Sequence, residues 1–301
     1  MNWVSIAILS AAIIALVSVL DSHLISRRMP SARAFFLPVA FLQSGFGLIV
    51  LAIFPLPSGL EAFPLAVAFA SAVIRAVGTY LMISTLRSEE VSRVIPVAST
   101  FPIFTAIFAV PLLGEALGCV EWVAIFMTVA GAMLISVRRH PGNGRVGFSR
   151  SFFLLLIASF LFGLANIASK YALGYISFWN MYGINGICYG LVFLLVSLRP
   201  QTLRELRVMK GRNQALALVL LNDIIAVVGI ILSFWAMQQG PVSLVSTVVS
   251  VRPAFVFAYA LILSRFFPAV LEERLERGVI ATKLVSIGLV IGGVVLLTLS
   301  G

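Results

Sequence analysis

The sequence predicts an all-α polytopic membrane protein with ten transmembrane helices, arranged as two inverted five-helix repeats around a central cavity. Three observations support this class: the composition, ten apolar segments of spanning length, and the distribution of basic residues between them. Of the 301 residues, 61% are apolar and 11% are charged, whereas a soluble domain has roughly 45–50% apolar and about 25% charged residues. The connections are too short for a soluble catalytic or nucleic-acid-binding domain.

The ten apolar segments account for most of the chain. A helix that crosses a bilayer needs roughly 20 mostly apolar residues. Such runs form helices in lipid because every backbone polar group must be satisfied within the segment. The predicted spans are 3–21, 34–54, 63–86, 92–113, 117–137, 151–173, 178–198, 214–237, 241–264 and 279–299.

The basic residues predict the orientation of these spans. The five odd-numbered connections, counted together with Arg93 and Lys283 at the adjoining span ends, hold 18 of the 21 Lys and Arg residues, and the even-numbered connections and both tails hold none. By the positive-inside rule the odd-numbered connections face the cytoplasm, so both termini are expected outside. The net charge of +10 is therefore explained by the orientation of the spans, and no nucleic-acid partner is expected. We expect an integral protein of the bacterial inner membrane.

A sparse internal repeat relates the two halves of the chain. Residues 91–104 and 242–255 both begin with Val-Ser, and both reach a proline, Pro102 and Pro253, at an offset of 151. Each half has five spans, so two tandem copies must face opposite ways, as the basic connections require. Inverted repeats of this kind indicate alternating-access transport with a site at the repeat interface. We predict a first repeat over 1–140, a cytoplasmic connection over 141–150 and a second repeat over 151–301.

Arg252 is the first candidate for substrate binding. An ionisable group at the bilayer centre costs roughly 2.5–3.5 kcal/mol on insertion scales, so it is a functional-site hypothesis. Pro253 disfavours helical geometry at Arg252 and removes a backbone N–H. A cation at the middle of the membrane, beside a backbone carbonyl without its helical partner, is suited to binding an anion. Alternatively, Arg252 pairs with Asp223 and holds no ligand.

Arg75 and Asp223 lie at similar depths in the repeat-related third and eighth spans. They are predicted to form a buried charge pair, either a gate or a static brace. Arg252 and Lys170 would then leave excess positive charge in a low-dielectric cavity, which predicts a substrate bearing a carboxylate or phosphate. Lys170, toward the outer end of the sixth span, could instead extend to the interface.

Other polar residues complete the candidate set. Asn166, Asn222 and Tyr80 are predicted to line the cavity, because amides in lipid need hydrogen-bond partners. Asp21 and His23, at the inner end of the first span, are candidates for a coupled proton. The alternative for both is ordinary solvated charge beside neighbouring arginines.

No cofactor or metal site is expected. The two cysteines and two histidines lack the spacing of metal ligands, and there is no Gly-x-x-x-x-Gly-Lys-Ser/Thr stretch for a nucleotide. A gradient would therefore drive transport. The expected partners are a small-molecule substrate, membrane lipids and a coupling proton. We expect a monomer, or a weak homodimer formed through the small-residue spacing of Gly288 and Gly292.

Several stretches resemble the EamA-like branch of the drug/metabolite transporter superfamily. Residues 94–102, Val-Ile-Pro-Val-Ala-Ser-Thr-Phe-Pro, and the later Gly114-Glu115 resemble its fourth-helix and Gly-Glu signature. Asn166 to Lys170 resembles the end of its first repeat helix, and the glycines near 131 and 292 are similar to its last helices. The resemblance implies a ten-helix transporter of small metabolites whose last helix in each half is peripheral. The second-half counterpart of Gly-Glu is missing.

These observations lead to one principal hypothesis and two alternatives. The chain is predicted to be a secondary active transporter that moves a small anionic or zwitterionic organic metabolite, amino-acid-like compounds included, by alternating access. A translocase of a lipid-linked phosphate or sugar would use the same cations. An integral-membrane enzyme is less favoured, because Asp223 is the one clear acid at mid-depth.

Overall fold

The computed structural model describes residues 2–89, 91–136, 150–266, 285–286, 288–289 and 291–296. Regular structure in these ranges is helical, and α1 runs on through a π-helical turn, Leu24–Arg28. The helices are α1 (Trp3–His23), α2 (Ala32–Ile53), α3 (Ala62–Thr85), α4 (Val91–Ala98), α5 (Phe101–Leu113), α6 (Cys119–Ser136), α7 (Arg150–Ala172), α8 (Phe178–Ser197), α9 (Pro200–Val208), α10 (Arg212–Gln239), α11 (Val242–Val249) and α12 (Arg252–Phe266).

Eight stretches of the described chain are long and apolar enough to cross a membrane. They are Trp3–Arg28, Ala32–Ile53, Ala62–Thr85, Val94–Leu113, Arg150–Ala172, Phe178–Ser197, Arg212–Gln239 and Val242–Ala260. At the fifth predicted span, α6 carries a shorter apolar stretch, Cys119–Gly131. The tenth span, 279–299, and the connection at 141–150 fall mostly outside the described residues. The count of ten and the inverted relation of the halves stay predictions.

Two of the spans are broken helices, and their breaks follow from proline. The chain turns between α4 and α5 at Ser99 and Thr100, and between α11 and α12 at Ser250 and Val251. In each case the next helix has proline at its second residue. In the first turn of a helix the missing N–H of proline would have no partner anyway. If the helix continued unbroken, the proline ring would clash with the carbonyl four residues earlier. Both breaks lie at the same 151-residue offset as the sequence repeat.

Helix α2 packs along α8 at close backbone separation, because glycines face each other across the contact. A Cβ added to Gly186 would lie 2.7 Å from the backbone oxygen of Gln43, and one added to Gly47 would lie 2.7 Å from that of Gly183. Small residues at helix–helix contacts allow this approach in membranes. The contact fixes α2 where Gln43 can reach the interior.

The core consists of two apolar clusters. One surrounds Phe36 and Phe193, and the other surrounds Tyr182 and Phe234. Phe162 packs against both. Helix α1 lies on α10 and α3 lies on α7, so these two helix pairs bring polar side chains to the region between the clusters.

The Gly114-Glu115 motif joins the end of α5 to the start of α11. Gly114 has a φ of 67°, a left-handed conformation that ends α5 and that glycine adopts without strain. The Glu115 carboxylate then accepts hydrogen bonds from the backbone N–H groups of Val242 (2.5 Å) and Ser243 (3.2 Å) and from the Ser243 hydroxyl. An acidic side chain here satisfies free N–H groups and complements the helix dipole.

Candidate functional site

A cavity of about 170 Å³ lies between the two apolar clusters, with members of both in its walls. Six of the nine candidate site residues named from the sequence line it, and Lys170, Tyr80 and His23 do not. The six are Asp21, Arg75, Asn166, Asn222, Asp223 and Arg252.

Arg75 lies where α3 packs against α7. Its Nη2 donates to the hydroxyl of Ser169 at 2.9 Å, and its guanidinium carbon is 5.2 Å from the centroid of the Phe234 ring. A guanidinium over an aromatic face gains from the ring quadrupole. Arg75 Nε is buried and has no hydrogen-bond partner among the described residues. This side chain therefore keeps donor capacity for another group.

Asn166 lies one helical turn before Ser169 on α7. Its Nδ2 donates to the hydroxyl of Ser246 on α11 at 3.0 Å. Its buried Oδ1 accepts no hydrogen bond from the described part of the chain. Asn166 thus links α7 to the first segment of the second broken helix while its carbonyl oxygen stays unused.

Arg252 begins α12, directly after the second helix break. Its Nη2 donates to the hydroxyl of Ser18 on α1 at 2.8 Å, and that hydroxyl donates to the carbonyl of Ile14 at 2.8 Å. Arg252 Nε is buried without a partner within the described ranges. Both cavity arginines are therefore held by neutral hydroxyl groups.

The two acids of the cavity are held by neutral amides. Asn222 Nδ2 donates to Asp21 Oδ1 at 2.7 Å, joining α10 to α1. Gln43 Nε2 donates to Asp223 Oδ1 at 2.9 Å, joining α2 to α10. Arg75 and Asp223, which were predicted to pair, are each hydrogen-bonded to another residue in this conformation. Arg75 donates to Ser169, and Asp223 accepts from Gln43.

The charges in the cavity are balanced, which differs from the excess of positive charge predicted from the sequence. Two guanidinium groups and two carboxylates line it. Lys170 is not among the lining residues, and its Nζ donates to the carbonyls of Met237 and Gly240, both at 2.8 Å, at the C-terminal end of α10. Asp21 enters it and is buried, because α1 packs on α10 along this face.

Tyr80 and His23 also lie away from the cavity lining. Tyr80 packs against the cluster around Phe36, with 5.2 Å between the two ring centroids. His23 ends α1, where its Nε2 accepts a long hydrogen bond from Arg28 Nε at 3.4 Å. Of the two residues suggested for proton coupling, Asp21 is in the cavity and His23 is not.

Gln43 is a cavity residue that the sequence reasoning missed. It is the one amide side chain in the predominantly apolar second span, so the criterion applied to Asn166 and Asn222 would have found it. Ser18 and Ser169 carry no comparable signal. Serine is common in transmembrane helices, and its hydroxyl often bonds to the preceding turn of its own helix.

The described chain has the features of a polytopic helical membrane protein with a charged cavity beside two broken helices. Residues 1–137 match the EamA-like transporter family, which confirms the resemblance drawn from the sequence. The match covers 137 of the 301 residues, which all lie in the first half of the chain.

Similarity to known structures concerns the fold. No curated protein matches the chain. Among the 29 solved chains that match is one described only as the crystal structure of a protein. It has a TM-score of 0.66 and 18% identity, and the match covers 99% of this chain and 95% of that one. At this level of identity the likeness shows a shared fold and carries no functional assignment.

Proposed function

We propose that this protein is a secondary active transporter that moves a small anionic or zwitterionic organic metabolite across the membrane by alternating access. The observation that carries the proposal is the cavity between the apolar clusters, whose walls hold charges of both signs with unused hydrogen-bonding atoms. Buried polar atoms are normally paired, so a cavity with several unpaired ones favours a polar solute.

Arg75 and Arg252 are the groups proposed to bind the anionic part of the solute. Each guanidinium has five N–H donors, and the hydrogen bond that each makes to a protein side chain goes to a serine hydroxyl. A carboxylate or phosphate would be matched by this fork geometry. The two arginines come from α3 and α12, so an anion held by both would join the two halves of the chain.

The broken helices support alternating access as the mechanism. Discontinuous helices at the centre of a transporter supply local bends and free backbone groups. The second break places Arg252 at the first residue of α12, and the first break places Phe101, another cavity residue, at the first residue of α5. Movement at either break would displace part of the wall. Asp21 is the group in this proposal that could carry a coupled proton.

Transport by the purified protein in proteoliposomes tests the proposal. A panel of labelled carboxylates, phosphates and amino acids would be assayed with wild type, Arg75→Ala and Arg252→Ala. A hydrogen bond to a charged group contributes about 1.5–3 kcal/mol, so each variant should lower transport of the true substrate about tenfold or more. Arg75→Lys keeps the charge but loses the fork and should be intermediate.

Arg204→Ala, on the exposed face of α9, is the matched control and should transport as wild type does. The proposal fails if folded Arg75→Ala and Arg252→Ala proteins move every tested anion at the wild-type rate. Translocation of a lipid-linked phosphate in the same vesicles, with no transport of soluble anions, would favour the lipid translocase instead.

A further inference from the structure

The cavity wall formed by α1, α2 and α10 presents side-chain oxygens. Four residues make up this wall and are called here the oxygen cluster. They are Asp21, Gln43, Asn222 and Asp223. All four are more than nine-tenths buried, at 7%, 3%, 4% and 4% exposure.

The amide orientations in the oxygen cluster are determined by the carboxylates. A carboxylate only accepts hydrogen bonds, so Asn222 and Gln43 must turn their nitrogens toward Asp21 and Asp223. Their oxygens, Asn222 Oδ1 and Gln43 Oε1, are then left buried without a donor within the described part of the chain. Asp223 Oδ2 is also unpartnered there. The cluster thus contains three unused acceptor oxygens, two on amides and one on a carboxylate.

No hydrogen-bonded cation compensates these carboxylates among the described residues. Asp21 and Asp223 receive their hydrogen bonds from neutral amides, while Arg75 and Arg252 donate to serine hydroxyls. Buried charges in proteins are normally paired or bound to an ion. Arg252 attracts Asp21 through space but donates its hydrogen bond to Ser18. The unused oxygens therefore favour an added positively charged partner that donates to, or coordinates, oxygen.

We propose that the oxygen cluster is a binding site for a monovalent cation. This inference rests on the proposed function, in which Arg75 and Arg252 hold an anionic group in the same cavity. Two sources supply the required chemistry, an ammonium group of the transported solute and a free alkali metal ion. Either source places a cation between α1, α2 and α10 and balances the anion held by the arginines.

Thermal unfolding of the full-length protein in detergent tests both sources. In the first arm, NaCl and KCl are compared with choline chloride at equal ionic strength. In the second, an α-amino acid is compared with the carboxylic acid of the same skeleton lacking the amino group. The proposal expects a higher Tm with an alkali cation, or with the amino compound over its deaminated analogue. The responding arm identifies the source.

Variants of the oxygen cluster link the response to this site. Asp223→Asn removes one charge, and Asn222→Ala removes one unused oxygen. Each should raise the half-maximal cation or amine concentration about tenfold or more, because a charge-assisted hydrogen bond or its equivalent is lost. Glu61→Gln, an exposed acid in the connection before α3, is the control and should respond as wild type does. If Asp223→Asn does not fold, Asn222→Ala and Gln43→Met carry the same test.

Two results would overturn the inference. One is that neither arm raises the Tm of the wild-type protein. The other is that folded oxygen-cluster variants keep the wild-type half-maximal concentration. Failure here is distinct from failure of the proposed function, which would appear as unchanged anion transport in Arg75→Ala and Arg252→Ala. Oxygen-cluster variants that respond normally while the arginine variants lose transport would reject only the cation site.

Discussion

At the scale of single residues, glycines decide how near the cavity helices come to one another. Gly186 on α8 faces the backbone of α2 at Gln43, the residue that holds Asp223. A side chain at position 186 would push α2 outward and carry Gln43 with it. Gly45 lies two residues after Gln43 on α2, and a Cβ added there would have no atom within 4 Å.

Replacement of these two glycines is expected to have different effects. Gly186→Ala should lower the free energy of unfolding by about 1–3 kcal/mol, because its Cβ would meet backbone atoms that cannot move independently. Gly45→Ala should leave stability unchanged or raise it by up to about 1 kcal/mol through helix propensity. Chemical denaturation in detergent measures both, and equal effects of the two substitutions would contradict the close α2–α8 contact.

At the scale of elements, the end of α10 and the start of α11 are held by side chains from elsewhere in the chain. Glu115, after α5, satisfies the first N–H groups of α11, and Lys170, on α7, donates to the last carbonyls of α10. The loop between α10 and α11 thus has the Glu115 carboxylate on its α11 side and the Lys170 ammonium group on its α10 side. Both placements match the helix dipole.

Removal of the α11 cap should destabilise the protein. Glu115→Gln is expected to cost about 1–2 kcal/mol, since a charged acceptor at a helix N-terminus is replaced by a neutral one. Ser243→Ala should cost a similar amount, because its hydroxyl donates to the same carboxylate. The double variant should cost less than the sum, because the two groups interact directly. Strict additivity in thermal unfolding would argue against this contact.

At the scale of the whole molecule, the basic connections predict the orientation in the membrane. Eighteen of the 21 Lys and Arg residues lie in, or at the span ends beside, connections that alternate with connections lacking basic residues. The first and third connections of the first half carry this charge, as do the second and fourth of the second half. The same pattern is expected of two five-helix units that face opposite ways.

Cysteine accessibility in intact cells checks this orientation. In a background without Cys119 and Cys188, a cysteine replacing Arg207 should resist an impermeant thiol reagent, since α9 is expected in the cytoplasm. A cysteine replacing Pro57, in the exposed connection between α2 and α3, should react. Permeabilised cells provide the control in which both positions react. Labelling of position 207 from outside would reverse the predicted orientation.

The sequence was enough to predict the membrane class, the positions of eight spans and most polar residues of the cavity. A run of about 20 apolar residues is a helix in lipid whatever its neighbours, and a charge or amide within it has few places to go except inward. Arg75, Arg252, Asn166 and Asn222 were predicted for this reason, and all four line the cavity. The repeat offset aligned Pro102 with Pro253, and the two helix breaks lie directly before these prolines.

Which charges share the cavity depended on the packing of helices distant in the chain. Asp21 enters because α1 lies on α10, and Gln43 reaches Asp223 because glycines let α2 approach α8. Lys170 is not part of the cavity lining, because its ammonium group donates to two carbonyls at the end of α10. The turn that a helix presents to its neighbour depends on the neighbour's shape as well as on its own sequence. Packing therefore made the cavity a balanced set of two arginines and two aspartates, where spacing along the chain had predicted an excess of positive charge.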